Sequence, residues 1–426
     1  MVIDSVRLSF ALPPIKVQEV KKMCTNALNT GQVPLRDVAS ILGNFTWAIP
    51  TIPFAQSHYR SMQRFYINES QKALGDLSVK CVLSVGARSN LEWWVANLEE
   101  ANGKKIFPKI ADIEIFSDAS RSGWGAVCDG ITTRGPWTTD QSTLHINCLE
   151  LLGALYALQS FAKNAHGLSI RIHLDNSTAV CYINKGGGTK STELTKIAKE
   201  LTSFCEQREI SIVATHLAGV LNIEADRESR ATSDASDWML DRAIFRKLQI
   251  VWPTEIDLFS SFWNAQLPAY VSWRPQPKST AINAFSINWS GRMGYAFPPF
   301  ALLSKCLEKI RKEAANVVMV CPVWPAQPWF PVLLELACDV PVLLQPAPSL
   351  LTSAKGEPHP LLETGALQLA AWMLSGESSA GRDFRNHWSI YSWPASELQH
   401  IRHTSWHGEV GIIGVFDGVR IPCRTL

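Results

Sequence analysis

Four acidic residues stand where the pattern of residues 111–235 changes from one element to the next: Asp118 in IFSDAS, Glu150 in HINCLELL, Asp175 in IHLDNS and Asp226 in NIEADRESR. Asp118 and Asp175 close apolar, strand-like runs, Glu150 lies early in a helical stretch, and Asp226 opens another. Strand ends and helix faces are places from which side chains converge. Gathered carboxylates repel one another, and a cluster of them is tolerable at neutral pH when divalent cations occupy it. Hard oxygen donors of this kind select Mg²⁺ or Mn²⁺ over zinc. Any one of these aspartates alone would read as a turn residue or a helix cap; the four in this order carry the argument.

The elements that must position them follow from the periodicity. From Ile113 three strand-like segments, IEIFSD, GWGAVCD and ITTRGPWT, are separated by turn residues at Arg121–Gly123 and Asp129–Gly130. A helix with Leu149, Leu152, Leu155, Leu158 and Phe161 along one side comes next. The strand LSIRIHLD, two helical stretches and the strand ISIVATHL complete the order βββαβααβ. That order predicts an α/β unit with a mixed sheet flanked by helices.

At roughly 150 residues per domain, a chain of 426 residues is expected to hold two to four units. Hydrophobic residues at 46% and charged residues at 18% exclude overall disorder and a fibrous protein. The ten cysteines form no Cys-x-x-Cys pair, so neither a zinc ribbon nor a disulfide framework is written into their spacing. No basic segment followed by an apolar run opens the chain, and the most apolar stretch, 316–344, is broken by prolines and acidic residues. A cytosolic or nuclear location is expected, without a membrane span. The net charge of +2 divides into +5 over 1–110, −4 over 111–235 and +1 over the remainder. A basic module beside an acidic one suits a polyanion held by the first and cations held by the second.

Taken together, "SDAS..GWGA", "HIN.LEL", "DN" and "AD..SR" resemble a type 1 ribonuclease H domain over about residues 111–235, and within that family the ribonuclease H of tyrosine-recombinase retrotransposons of the DIRS and Ngaro type. The resemblance implies two-metal hydrolysis of a phosphodiester, with two Mg²⁺ (or Mn²⁺) ions about 4 Å apart clamping the scissile phosphate. It implies that Asp118 bridges both ions, that Asp226 completes the site of the water-activating one, and that Glu150 and Asp175 hold the one on the leaving group. The partner implied is an RNA–DNA hybrid, its RNA strand read through the 2′-hydroxyl from the minor groove. Asn147 and Asn176 are the candidates for those polar contacts, with capping or turn formation as their other reading. In one respect the chain departs from cellular ribonucleases H: THLAGVLNIEAD is short, and His216 precedes the glycine, so the role of the histidine before the last aspartate is not transferred.

The flanks extend the resemblance. Residues 1–110 are similar to the thumb and connection of a reverse transcriptase through SVRLSFALPPIK, LRDVASILGNF, HYRSMQ and LEWWVANL. No polymerase palm is present, and no polymerase activity is expected. Lys16, Lys21, Lys22, Arg60 and Arg64 are candidates for contact with a heteroduplex backbone, or are solvated helix faces. Residues 250–350 resemble a phage-type adenine methyltransferase through IDLFSS, NAFSINW and YAFPPF. Phe297 stands where an active enzyme has the Asp or Asn that accepts the target amino hydrogen, and no glycine-rich donor loop is apparent, so no methyl transfer is expected. Trp273, Trp289, Trp324 and Trp329 could stack on bases or fill a core. Residues 351–426, with a possible helix at 361–374 and three histidines at 400, 403 and 407, are expected to be a linker or partly disordered tail. Two functions therefore stand after the sequence: a Mg²⁺-dependent hybrid endonuclease, and a catalytically silent nucleic-acid-binding relic of one. The oligomeric state is not written in the sequence.

Overall fold

The computed structural model of the chain describes residues 1–6, 8–106, 110–231, 237–389 and 411–426. Two compact units divide it, one of residues 1–132 and 144–230, the other of residues 133–143 and 231–426.

The N-terminal part of the first unit carries four helices, α1 (Pro14–Asn29), α2 (Leu35–Ala48), α3 (Arg60–Lys72) and α4 (Val85–Asn97). Pro14 opens α1 where its missing N–H removes a donor that has no intrahelical partner anyway. The apolar stripes of these helices close on a core in which Phe45 stacks on Trp94 at 4.0 Å between ring centroids.

Strands β1 (Ile113–Ala119), β2 (Gly123–Cys128) and β3 (Ile131–Pro136, of which 133–136 count with the second unit) follow, then α5 (Ile146–Phe161), β4 (Ser169–Leu174), α6 (Ser177–Asn184), α7 (Thr192–Glu206), β5 (Ser211–His216) and α8 (Ile223–Arg230). The sheet order is β5-β4-β1-β2-β3. β5 and β4 are parallel, as are β4 and β1, whereas β1 and β2 are antiparallel with Asp118 opposite Gly125. This is the expected βββαβααβ order with its mixed sheet, and α8 is added after β5. α5 is buried from Cys148 to Leu158 on every side, as a helix apolar all round must be.

Arg60 and Arg64, considered above for a heteroduplex backbone, are spent inside this unit. Arg60 donates to the Lys185 carbonyl through Nε and Nη2 at 3.2 and 2.6 Å. Arg64 donates to the carbonyls of Gly188, Thr189 and Ser191 and to the hydroxyls of Thr192 and Thr195. Charged side chains on a helix signal solvent only until a loop rich in carbonyls packs against them. Gly186, at φ +56°, lets the loop in: a Cβ there would stand 2.9 Å from the Ser57 nitrogen. Lys16 and Lys21 pair with Glu19 and Glu99. Arg64→Ala strands several of these carbonyls, and hydrogen bonds to a charged group are worth about 1.5–3 kcal/mol each at most. We expect a loss of about 2–3 kcal/mol in urea unfolding; a change below about 0.5 kcal/mol would show that the loop does not depend on Arg64.

The second unit carries a seven-stranded sheet. In chain order its elements are α9 (Arg242–Val251), β6 (Ile256–Asp257), β7 (Met293–Ala296), α10 (Leu303–Glu313), β8 (Asn316–Pro322), α11 (Phe330–Leu336), β9 (Val342–Leu344), β10 (Leu369–Ser375), α12 (Ser378–Ser389), β11 (Gly411–Phe416) and β12 (Val419–Thr425). The order is β6-β7-β8-β10-β9-β12-β11, with β10 antiparallel to both neighbours. β8 is a continuous apolar run because both faces of the sheet are covered.

The expected tail is corrected here. Over the described residues 351–426 supply β10, β11 and β12, and LAAWMLS is a strand inside the sheet, not the later part of a helix at 361–374. Only Pro360–Glu363 is helical, and Gly365 at φ +67° ends that turn. His400, His403 and His407 lie outside the described residues. Trp289 and Trp329 are core residues, Trp324 packs against the core, and Trp273 is exposed. Among the described residues no helix is long and apolar enough to cross a membrane.

Candidate active site

Asp118 is the next-to-last residue of β1, Glu150 lies in the second turn of α5, and Asp175 follows the last residue of β4. β4 lies beside β1 and α5 packs over β1, so the three carboxylates converge, each with one oxygen within 4.8 Å of the others. Among the described residues this is the one group of three or more potential ligands found. Asp226, in the first turn of α8, is outside that group. It is near enough for its charge to act on Asp118, but its Oδ1 is taken by the Arg230 guanidinium at 2.7 Å.

Burial decides the electrostatics. Glu150 is 5% exposed, and its carboxyl is pushed up to about 9, first by burial and then by the charges of Asp118 and Asp175. A hydrogen bond from the Ala119 backbone opposes this only in part, and Glu150 Oε2 is buried with no hydrogen-bond partner. Asp118, 4% exposed, is also raised by burial, against the Ser229 hydroxyl, which donates to its Oδ2 at 2.5 Å. An orphaned buried carboxylate oxygen among like charges is the observation a cation would resolve, so these residues fit divalent ions held by oxygen.

A pH dependence follows. Glu150 keeps its proton in the folded chain well above the unfolded value, so its stabilising contribution is complete below about pH 4.5 and is lost as the pH rises towards 9. With divalent ions chelated, the first unit should lose on the order of 1 kcal/mol of stability per pH unit between pH 6 and 8. Glu150→Gln should flatten that slope in urea unfolding. An equal slope in the variant would show that Glu150 does not titrate this way.

Asn147 and Asn176 meet each other: Asn176 Nδ2 donates to Asn147 Oδ1 at 3.0 Å. Asn176 also caps α6, its Oδ1 accepting from the Ala179 nitrogen at 2.9 Å. The capping reading therefore holds for Asn176, while one amide hydrogen of Asn176 and the Asn147 amide group are not used by this pair.

Three positions were missed by residue-type reasoning. Ser229, fully buried, joins α8 to Asp118, and its carbonyl accepts from the Ser120 hydroxyl at 2.6 Å. Gly125, opposite Asp118, lets the α8 backbone rest on β2: a Cβ there would lie 2.4 Å from the Ser229 nitrogen and 2.6 Å from the Ala225 carbonyl. Gly219, in the 3₁₀ turn before α8, would bring a Cβ to 3.1 Å from Asp175 Oδ2. The signal available for the first was helical spacing, since Ser229 and Arg230 follow Asp226 by three and four residues and share its face. His216 ends β5 and no longer loop follows it.

No family model matches the chain, and no curated protein does. Among solved structures the chain is similar to ribonuclease H1 from the halophilic archaeon Halobacterium salinarum NRC-1, at 17% identity over 27% of this chain and 92% of that one (TM-score 0.23). It is similar to the N-terminal ribonuclease H domain of a Mycobacterium tuberculosis protein, at 18% identity over 28% and 99% (TM-score 0.22). A foamy viral protease–reverse transcriptase in complex with double-stranded DNA is a further neighbour, at 15% identity over 48% and 35% (TM-score 0.20).

Proposed function

We propose that the chain is an endonuclease that hydrolyses the RNA strand of RNA–DNA hybrids with Mg²⁺, as part of the reverse transcriptase–ribonuclease H polyprotein of a tyrosine-recombinase retroelement. The observation that carries this reading is the convergence of Asp175 on the buried Asp118 and Glu150 around an unpartnered Glu150 oxygen. In this reading Asp118, Glu150 and Asp175 would hold one ion, and Asp118 with Asp226 the other. Bound there, such ions supply a hydroxide nucleophile at neutral pH and neutralise the charge that develops on the leaving 3′ oxygen.

The chain's own residues do the rest. Ser229 fixes the Asp118 carboxylate by its hydrogen bond, and Glu150 gives up its proton to serve as a ligand. The Asn147–Asn176 pair presents amide hydrogens beside Glu150 and Asp175, where a 2′-hydroxyl next to the cut would be read. No methyl transfer is expected of the second unit: Phe297 packs edge-on to Phe300, with ring centroids 6.4 Å apart, and cannot accept an amino hydrogen.

A panel of end-labelled substrates with Mg²⁺ tests the reading. RNA should be cut when paired with DNA and spared when single-stranded or paired with RNA, and duplex DNA should be spared. Cleavage of every RNA alike would overturn the hybrid assignment, and hybrid binding without cleavage would leave only the relic.

A further inference from the structure

Arg230 is the last residue of α8, 67% exposed, and it forks onto one oxygen: its Nε and Nη2 both lie 2.7 Å from Asp226 Oδ1. The charges of Asp118 and Asp175 reach it as well. Its backbone end is fixed, because the Ser229 carbonyl accepts from the Ser120 hydroxyl and the Ser229 hydroxyl donates to Asp118. An exposed pair four residues apart on a helix contributes little to folding. What the fork does is occupy, with a permanent positive charge, the one carboxylate of the four that stands outside the converged group. A guanidinium is also the side chain best shaped for a phosphate, which it grips with two parallel N–H donors.

We propose that Arg230 is a resident counter-cation that holds Asp226 in the free protein and passes to a backbone phosphate when nucleic acid seats, so that a second divalent ion is admitted at Asp226 only with the substrate. The inference rests on the nuclease reading of the cluster and adds to it the order in which charge is supplied. Asp118, Glu150 and Asp175 are open to an ion without nucleic acid; Asp226 is not. Arg230 is therefore a positioning residue for Asp226 and a phosphate contact in turn.

The test counts Mn²⁺ bound to the full chain by electron paramagnetic resonance and calorimetry, without nucleic acid, and compares wild type with Arg230→Gln. Wild type should take up one ion, and the variant a second, bound at least about tenfold more tightly than any second ion in wild type. With chelator present, the slope of log affinity for an RNA–DNA hybrid against log salt should be shallower in Arg230→Gln by about 0.9, the share of one phosphate contact. Arg230→Lys should restore that slope. Two ions on wild type, or superimposable isotherms for the two proteins, would overturn the proposal. If wild type takes up one ion and cuts hybrid while the variant's isotherm is unchanged, only the Arg230 assignment falls. If neither protein takes up Mn²⁺, the nuclease reading falls with it.

Discussion

Asp118→Asn is expected to lower hybrid cleavage by about 10³-fold or more while leaving the fold intact. Divalent ions held at Asp118 would contribute several kcal/mol of transition-state stabilisation, and each 1.36 kcal/mol is tenfold in rate. The exchange keeps the shape of the side chain and an oxygen to accept from Ser229. It also removes one of the buried like charges that raise Glu150. With ions chelated, the melting temperature should therefore hold or rise, and the stabilisation that Mn²⁺ gives to wild type should be lost. An active Asp118→Asn protein would remove Asp118 from the chemistry, and a large fall in melting temperature would make it a structural residue.

Gly125→Ala is the second large effect, and it is predicted for a residue that does no chemistry. The added methyl would meet the backbone of α8 at Ser229 and Ala225, at distances no Cβ tolerates. Backbone on both sides cannot swing away as a flexible side chain can, so α8 must lift from β2. Overpacking of this kind costs about 1–3 kcal/mol, and more where neither partner yields. The lift carries Asp226 and Ser229 with it, so cleavage should fall by more than the loss of folded protein accounts for. Urea unfolding alongside cleavage separates the two effects. A Gly125→Ala protein with wild-type stability and rate would show that α8 is not seated on β2 as described.

The contrast between these two residues shows what the sequence makes legible. Asp118 and Asp175 are visible because alternating apolar runs announce the strands they end, and Glu150 because a leucine-rich helical period follows it. Gly125 and Ser229 stand inside the motifs GWGA and AD..SR, but what they do is not legible there: it lies in the distance between a strand and a helix about a hundred residues apart, which the local pattern does not encode. Arg60 and Arg64 misled because a charged helix face looks the same in sequence whether it meets water or a ring of loop carbonyls. Residues 351–426 misled through composition. Their many Ser, Gly, Glu and His residues surround LAAWMLS, a strand whose length matches a helix of two turns and whose burial on both faces erases the alternation that would have marked it.

Chemistry by carboxylate-held ions has a product signature that chemistry by the RNA's own 2′-hydroxyl lacks. The most direct measurement is mass spectrometry of the fragments released from the RNA strand of a hybrid by the purified chain in Mg²⁺. Water attacking phosphorus with departure of the 3′ oxygen leaves 5′-phosphate and 3′-hydroxyl ends. Wild type should release those ends and Asp118→Asn should leave the RNA intact; 2′,3′-cyclic phosphate ends, or cleavage that persists in chelator, would rule out hydrolysis by ions held at Asp118.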